Sequence, residues 1–264
     1  MDNLRTFLQP IIDAVQEVGG YIDEIKKERR FVDRPKDLAN YADQEAHILL
    51  SKSLKIILDI AVVSEEDLES QSRVESLYWL IDPIDGTSSY SQKYNGYVVQ
   101  CALMDINRPI LSVIFAPHFK KTYYAINGGG AWLNGVRILS KKKESIRSLV
   151  DNEPSPHDIA EVVYKKMNFE RYIESGSLGL KMCLVAEGIA SAFVKSTIIR
   201  DWDVAPASLL LKEVNGCFSD SYLNEITYMP GSRAHSGLIA TSNIELQESI
   251  GKIIAGEREN GRFQ

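Results

Sequence analysis

Residues 77 to 90 read "LYWLIDPIDGTSSY", an apolar run that ends on two aspartates three positions apart with a proline between them. Carboxylates beside a buried run are costly unless they are paired or coordinate a cation. This stretch therefore constrains the fold more than any other. Pro83 fixes its own φ and offers no N–H, so the chain must turn between Asp82 and Asp85. The turn is either a capped loop or a metal site. Carboxylate oxygens suit hard cations, and Mg2+ is commonly held by one or two carboxylates with water and phosphate oxygens. In such a turn the Ile84 carbonyl can face the same ion, and Gly86 permits close approach of a ligand. Thr87 and Ser88 can open a helix whose free N–H groups donate to a phosphate oxygen.

Two other acids belong to the same pattern. Glu65 follows "AVVS", and Asp203 lies in "IIRDWDVAP", so with Asp82 and Asp85 four acids each close an apolar run. Taken singly, a Ser-Glu-Glu reads as a surface turn and an Asp before a helix as an N-cap. Asn40 with Asp43 resembles a capping-box start for a helix whose apolar face includes Ala46, Leu50 and Leu54.

The remaining periodicity sets the framework. Leu4, Phe7, Leu8, Ile11, Val15, Val18, Ile22 and Ile25 follow helical spacing and predict an amphipathic helix over 3–28. "DIAVVSEED" and "SLYWLIDP" read as short buried strands. "YVVQCALMD", "RPILSVIFA", "KTYYAINGG" and "AWLNGVRI" read as an antiparallel meander of four strands. After a basic loop at Lys141–Lys143 the pattern becomes strand–helix alternation. Helices are expected at 156–167, 178–187, from Ala205 to a stop at Gly216, and at 244–254. The fold class is α+β over 1–140 and α/β over 141–264, the first half holding most of the acids and the second supplying Asp203.

Composition narrows the function. A net charge of −6 leaves no electrostatic footprint for a nucleic-acid polymer. Small phosphorylated metabolites remain possible partners, because a metal can supply the missing positive charge. No stretch approaches the ~20 apolar residues of a membrane span. The N-terminus has an acid at position 2 and no uninterrupted apolar core, unlike a signal peptide. Cys101, Cys183 and Cys217 lack metal-ligand spacing and read as buried, inert thiols of a cytoplasmic protein.

Several blocks together resemble the inositol monophosphatase superfamily. They are "DLANYADQ" (37–44), "SEE" (64–66), "WLIDPIDGTSSY" (79–90), "GGGAWLNGVRI" (128–138), "GSLGLKMCLVAEGIASAF" (176–193) and "DWDVAPASLLLKEVNG" (201–216). The resemblance implies a layered α-β-α-β-α sandwich and Mg2+-dependent hydrolysis of phosphate monoesters, with two or three ions. Position by position, it implies that Glu65, Asp82 and the Ile84 carbonyl hold one ion. Asp82, Asp85 and Asp203 would hold a second. Thr87 would pair with a helix-start aspartate, here Asp43, to orient the attacking water. Gly86, Thr87 and Ser88 would hold the phosphate. Lithium sensitivity and a homodimer are common in the family.

For the substrate, residues 95–117 and "GSLGLKMCLVAEG" are most similar to 3'(2'),5'-bisphosphate nucleotidases of the CysQ type. That likeness implies substrate contacts from Gly176, Ser177, Lys181, Lys195 and Asp203, and points to 3'-phosphoadenosine 5'-phosphate. Ser88-Ser89-Tyr90 departs from it, because those nucleotidases often carry lysine after Asp-Gly-Thr. Inositol monophosphate, a broader sugar-phosphate role and histidinol phosphate are the alternatives, with a catalytically silent binding protein a further one.

Overall fold

Two long helices open the chain, α1 (Asp2–Ile25) and α2 (Pro35–Ile57). The structure, a computed structural model, describes residues 2–28, 34–92, 94, 96–139, 147–229 and 233–261. The basic loop at Lys141–Lys143 and the boundary expected at 140 lie outside the described residues. In α1 the expected stripe is buried, with Ile11, Val15, Val18 and Ile22 fully covered. α2 begins five residues before Asn40. Pro35 occupies its first turn, where a missing N–H costs nothing and the fixed φ favours a helix. Asp43 consequently lies inside α2, buried on the face that carries Ala42, Ala46, Leu50 and Leu54, and does not cap it.

The next elements are β1 (Ala61–Ser64), α3 (Leu68–Gln71), β2 (Leu77–Asp85), α4 (Thr87–Ser91), β3 (Val98–Asp105), β4 (Arg108–Ala116), β5 (Lys121–Ile126), β6 (Gly130–Leu133) and β7 (Val136–Ile138). Their strands form one seven-stranded sheet in sequence order. Within this sheet, among the described residues, β1 and β2 are the one parallel pair. The meander is as expected except that "AWLNGVRI" is a hairpin, not one strand. Asn134 (φ 48) and Gly135 (φ 82) both take the left-handed conformation that a two-residue hairpin turn requires.

The second half comprises β8 (Ser148–Asp151), α5 (Asp158–Lys166), β9 (Arg171–Glu174), α6 (Leu178–Glu187), β10 (Ala192–Lys195), β11 (Ile199–Arg200), α7 (Asp201–Glu213), β12 (Cys217–Ser219), β13 (Ala234–His235), β14 (Leu238–Thr241) and α8 (Ile244–Glu259). Five of these strands form a mixed sheet in the order β12-β14-β10-β8-β9, and β11 pairs with β13 apart from it. α7 starts at Asp201, ahead of the expected Ala205, and runs through Pro206. It ends at Glu213; Asn215 (φ 58) then turns the chain, and the Gly216 N–H closes on the Leu211 carbonyl at 2.8 Å.

Strand alternation builds the layers. On β2, Trp79 and Ile81 face α1 and α2, while Tyr78 and Leu80 face α6 and α7. α6 and α7 are covered from the other side by Val150, Phe193, Leu238 and Ala240 of the second sheet. The opposite face of that sheet, with Leu149, Ala192, Val194 and Ile239, packs on α5 and α8. The result is the five-layer α-β-α-β-α sandwich. Among the described residues no helix is long and apolar enough to cross a membrane.

Candidate active site

β2 meets β3 with Asp82 opposite Gln100 and Asp85 opposite Val98. The extra residue makes a bulge at Pro83, which cannot donate to the ladder. The bulge turns the strand end into a cleft of about 290 Å3, closed by the residue after β1, the start of α6, the ends of β8 and β10, and the first turn of α7. Its walls include Glu65, Asp82, Ile84, Asp85, Gly86, Thr87, Ser88, Gly176, Ser177, Lys181, Lys195 and Asp203. Among the anticipated residues Asp43 alone stands behind the wall.

Glu65, Asp82 and Asp203 each offer one oxygen, and these atoms lie within 4.8 Å of one another. Asp82 is 1% exposed, and its Oδ1 has no hydrogen-bond partner among the described residues. Burial, then the charges of Glu65, Asp85 and Asp203, hold the Asp82 carboxyl well above the ordinary range. Burial and the Asp85 charge push Glu65 up to about 7. The same two causes push Asp203 up to about 8. Three converging acids, one of them with an orphaned buried oxygen, need either protons or a cation to neutralise them. A hard divalent cation fits this all-oxygen donor set.

Asp85 is engaged differently. Its Oδ1 accepts from the Leu178 N–H at 3.0 Å and its Oδ2 from the Gly179 N–H at 2.6 Å, so it anchors the first turn of α6. The Ser177 hydroxyl caps the same helix, accepting from the Leu180 N–H at 3.0 Å. Burial raises the Asp85 carboxyl, against the opposing pull of those backbone donors and Lys181.

Gln100 was not anticipated. Its Nε2 donates to the Trp202 carbonyl at 3.0 Å, with Asp85 Oδ2 and the Asp203 carbonyl each 3.3 Å away. Pro206 explains the first contact: it lacks the N–H that would otherwise bind the Trp202 carbonyl one turn back. A glutamine inside the apolar run "VVQCALM" was the available signal. Asn152, Ser89 and Leu178 also line the cleft. Asn152 follows "SLVD" in the same manner as the anticipated acids follow their strands.

Gly86 adopts φ 95 and leads into α4. The Thr87 hydroxyl lies 3.4 Å from Asp43 Oδ2 and 3.2 Å from the Ile84 carbonyl, so one proton serves two acceptors. Burial and the charges of Glu66 and Glu65 push Asp43 up to about 8. In "SSY" the two serines face the cleft, whereas Tyr90 is buried and donates to the Ile22 carbonyl at 2.7 Å. Lys181 is 2% exposed. Its Nζ lies 3.4 Å from Asn152 Oδ1, 3.8 Å from Asp151 Oδ1 and 4.5 Å from the Phe193 ring centre. Burial lowers this lysine to about 8, and Asp151 opposes that. Among the described residues no histidine or cysteine lines the cleft.

Comparison with known proteins accords with this geometry. The model of the inositol monophosphatase family matches residues 3–258. The chain is 28% identical over 232 residues to a fructose-1,6-bisphosphatase/inositol-1-monophosphatase of Aquifex aeolicus, covering 83% of this chain and 87% of that protein. It is 30% identical over 223 residues to the 3'(2'),5'-bisphosphate nucleotidase CysQ of Salmonella typhimurium, covering 83% and 89%. The fold matches the crystal structure of inositol monophosphatase-II from Staphylococcus aureus with a TM-score of 0.82 at 20% identity, over 100% of both chains. A match that runs nearly end to end, on a fold whose strand ends gather this acidic cleft, places the chain in the inositol monophosphatase family, as a phosphatase.

Proposed function

We propose that this phosphatase hydrolyses the 3'-phosphate of 3'-phosphoadenosine 5'-phosphate in a Mg2+-dependent reaction, releasing adenosine 5'-phosphate and inorganic phosphate. The observation that carries the reading is Lys181, buried in the cleft wall with Lys195 beside it, where a second phosphate needs a positive charge. Glu65, Asp82, Asp203 and the Ile84 carbonyl would hold Mg2+, two or three ions in all, with Asp85 completing the set. Bound Mg2+ supplies neutralising charge and a more acidic water. Thr87 would orient the attacking water, and Asp43 in its ionised form would take up a proton through the Thr87 hydroxyl. The water oxygen forms the new bond to phosphorus, the ester P–O3' bond breaks, and the leaving oxygen is protonated from solvent. First-turn N–H groups at Thr87 and Ser88, which helical bonding leaves unpaired, donate to the phosphoryl oxygens as charge develops there. Gly176 and Ser177 shape the wall that meets the leaving group.

A second reading has its own observation. The wall at Ser88 and Ser89 carries hydroxyls where a lysine would suit a bisphosphate, and Asp151 draws on the charge of Lys181. That surface suits a polyol such as inositol monophosphate, another sugar phosphate or histidinol phosphate. Metal-stripped protein resupplied with Mg2+ should release phosphate from 3'-phosphoadenosine 5'-phosphate at least about tenfold more efficiently than from inositol 1-phosphate, a difference of ~1.4 kcal/mol. The reverse preference refutes the nucleotide assignment.

The reading extends to the whole enzyme. The chain works as two halves, 1–140 and 141–264, that face each other across the cleft. The enzyme is cytoplasmic, which the free state of its three cysteines supports. It is lithium-sensitive and pairs as a homodimer, which light scattering tests.

A further inference from the structure

The three acids of the cation site arrive on separate segments, and their mutual repulsion favours splaying. Glu65 follows β1, which stands at the edge of its sheet and, among the described residues, pairs with β2 alone. We infer that Arg233 is the positioning residue of this site, one buried guanidinium bonded directly to the strand that delivers Asp82 and the helical turn that delivers Asp203, and through Gln71 to the segment that delivers Glu65. The inference rests on the reading of that cluster as a cation site.

Arg233 is 4% exposed. Its Nε donates to the Gln71 carbonyl at 3.1 Å and its Nη2 to the Arg73 carbonyl at 3.2 Å, which fixes the chain at the end of α3. The Gln71 side-chain amide then donates to the Glu65 carbonyl at 2.9 Å and the Ser64 carbonyl at 3.2 Å. Nη1 of Arg233 donates to the Tyr78 hydroxyl at 3.2 Å, on the strand that carries Asp82. It also donates to Asp201 Oδ2 at 3.3 Å, in the helical turn that carries Asp203.

The counter-charge is itself fixed. Asp201 is fully buried, its N–H donates to the Arg233 carbonyl at 3.1 Å, and its Oδ1 meets His235 Nε2 at 2.7 Å. The β11–β13 ladder, which pairs Arg200 with Ala234, holds both sides together. A planar fork with five donors can span three segments at once, and a lysine ammonium cannot reproduce that geometry. Arg233 thus sets the spacing of the carboxylates before any cation arrives.

The test uses the full metal-stripped chain and titrates Mg2+ by calorimetry. The variants are Arg233→Lys and Gln71→Ala, the second leaving the Arg233–Asp201 pair intact. Removing partners that orient metal ligands typically weakens affinity about 10–100-fold, and that loss is expected for both variants. The KM for the phosphate ester at saturating Mg2+ should stay close to that of the unaltered enzyme. A lowered melting temperature with unaltered Mg2+ affinity means a structural role only and overturns the inference. If Arg233→Lys does not fold, unaltered affinity in Gln71→Ala overturns it alone. An unaltered chain that takes up no Mg2+ refutes the cation reading itself.

Discussion

Asp43 is an acid on an otherwise apolar helix face, 5% exposed, with an Oδ1 that has no hydrogen-bond partner among the described residues. Burial and the charges of Glu66 and Glu65 hold its carboxyl at about 8, and the Thr87 hydroxyl only partly offsets them. In the unfolded chain it returns to ~3.9. Between those values the folded protein keeps a proton that the unfolded chain has released. Stability therefore falls as pH rises through that window and recovers below ~4. Each pH unit is worth ~1.4 kcal/mol, so from about pH 5 to about pH 8 this one residue withdraws on the order of 4 kcal/mol. Asparagine keeps the shape and cannot ionise. Metal-free Asp43→Asn should accordingly gain on the unaltered protein by roughly 10 °C over that interval, at ~2–4 °C per kcal/mol. Thermal melts in a chelator, followed by circular dichroism, measure the gap at both ends. The variant should also turn over poorly, because an amide accepts no proton from water. Parallel stability curves for the two proteins would refute the reasoning about burial.

Other consequences follow from single contacts. Lys181→Met should raise the KM for 3'-phosphoadenosine 5'-phosphate by about tenfold, ~1.4 kcal/mol, with a smaller effect on inositol 1-phosphate; equal effects would remove the lysine from substrate recognition. A Cβ at Gly96 would strike the Gly176 backbone in the cleft wall. Gly96→Ala should therefore cost ~1–3 kcal/mol in a denaturant titration, and a neutral result would show that the wall can yield. Burial pushes the Cys101 thiol up to about 12. A thiol reagent on the native protein should modify the partly exposed Cys217 first and leave Cys101 unlabelled, and early labelling of Cys101 would contradict the packing of β3.

Much of the fold is written in local pattern. The α1 stripe repeats every helical turn, and the strands that lead to Glu65 and carry Asp82 have apolar runs too short for helices. The first sheet was readable for that reason, whereas the short strands β11, β12 and β13 carry no such run. The start of α2 was not readable, because Asn40 and Asp43 imitate a capping box while the helix begins at Pro35 without a side-chain cap. Lys181 could not be oriented from sequence, since α6 is apolar on nearly every side. Gln100 and Arg233 were invisible for a different reason. Gln100 meets the Trp202 carbonyl 102 positions away, and Arg233 meets Gln71 162 positions away. Only the closed fold reveals a carbonyl freed by Pro206 or three segments that need one donor.

The central claim is that Asp82 and its neighbours hold the cation on which phosphate-ester hydrolysis depends. The most direct measurement is phosphate release by metal-stripped protein before and after Mg2+ is restored, for the unaltered chain and for Asp82→Asn. Release that appears only with Mg2+ in the unaltered chain, and that Mg2+ does not restore in Asp82→Asn, is the expected result. Hydrolysis without a divalent cation, or an Asp82→Asn enzyme that responds to Mg2+ as the unaltered chain does, would contradict the account.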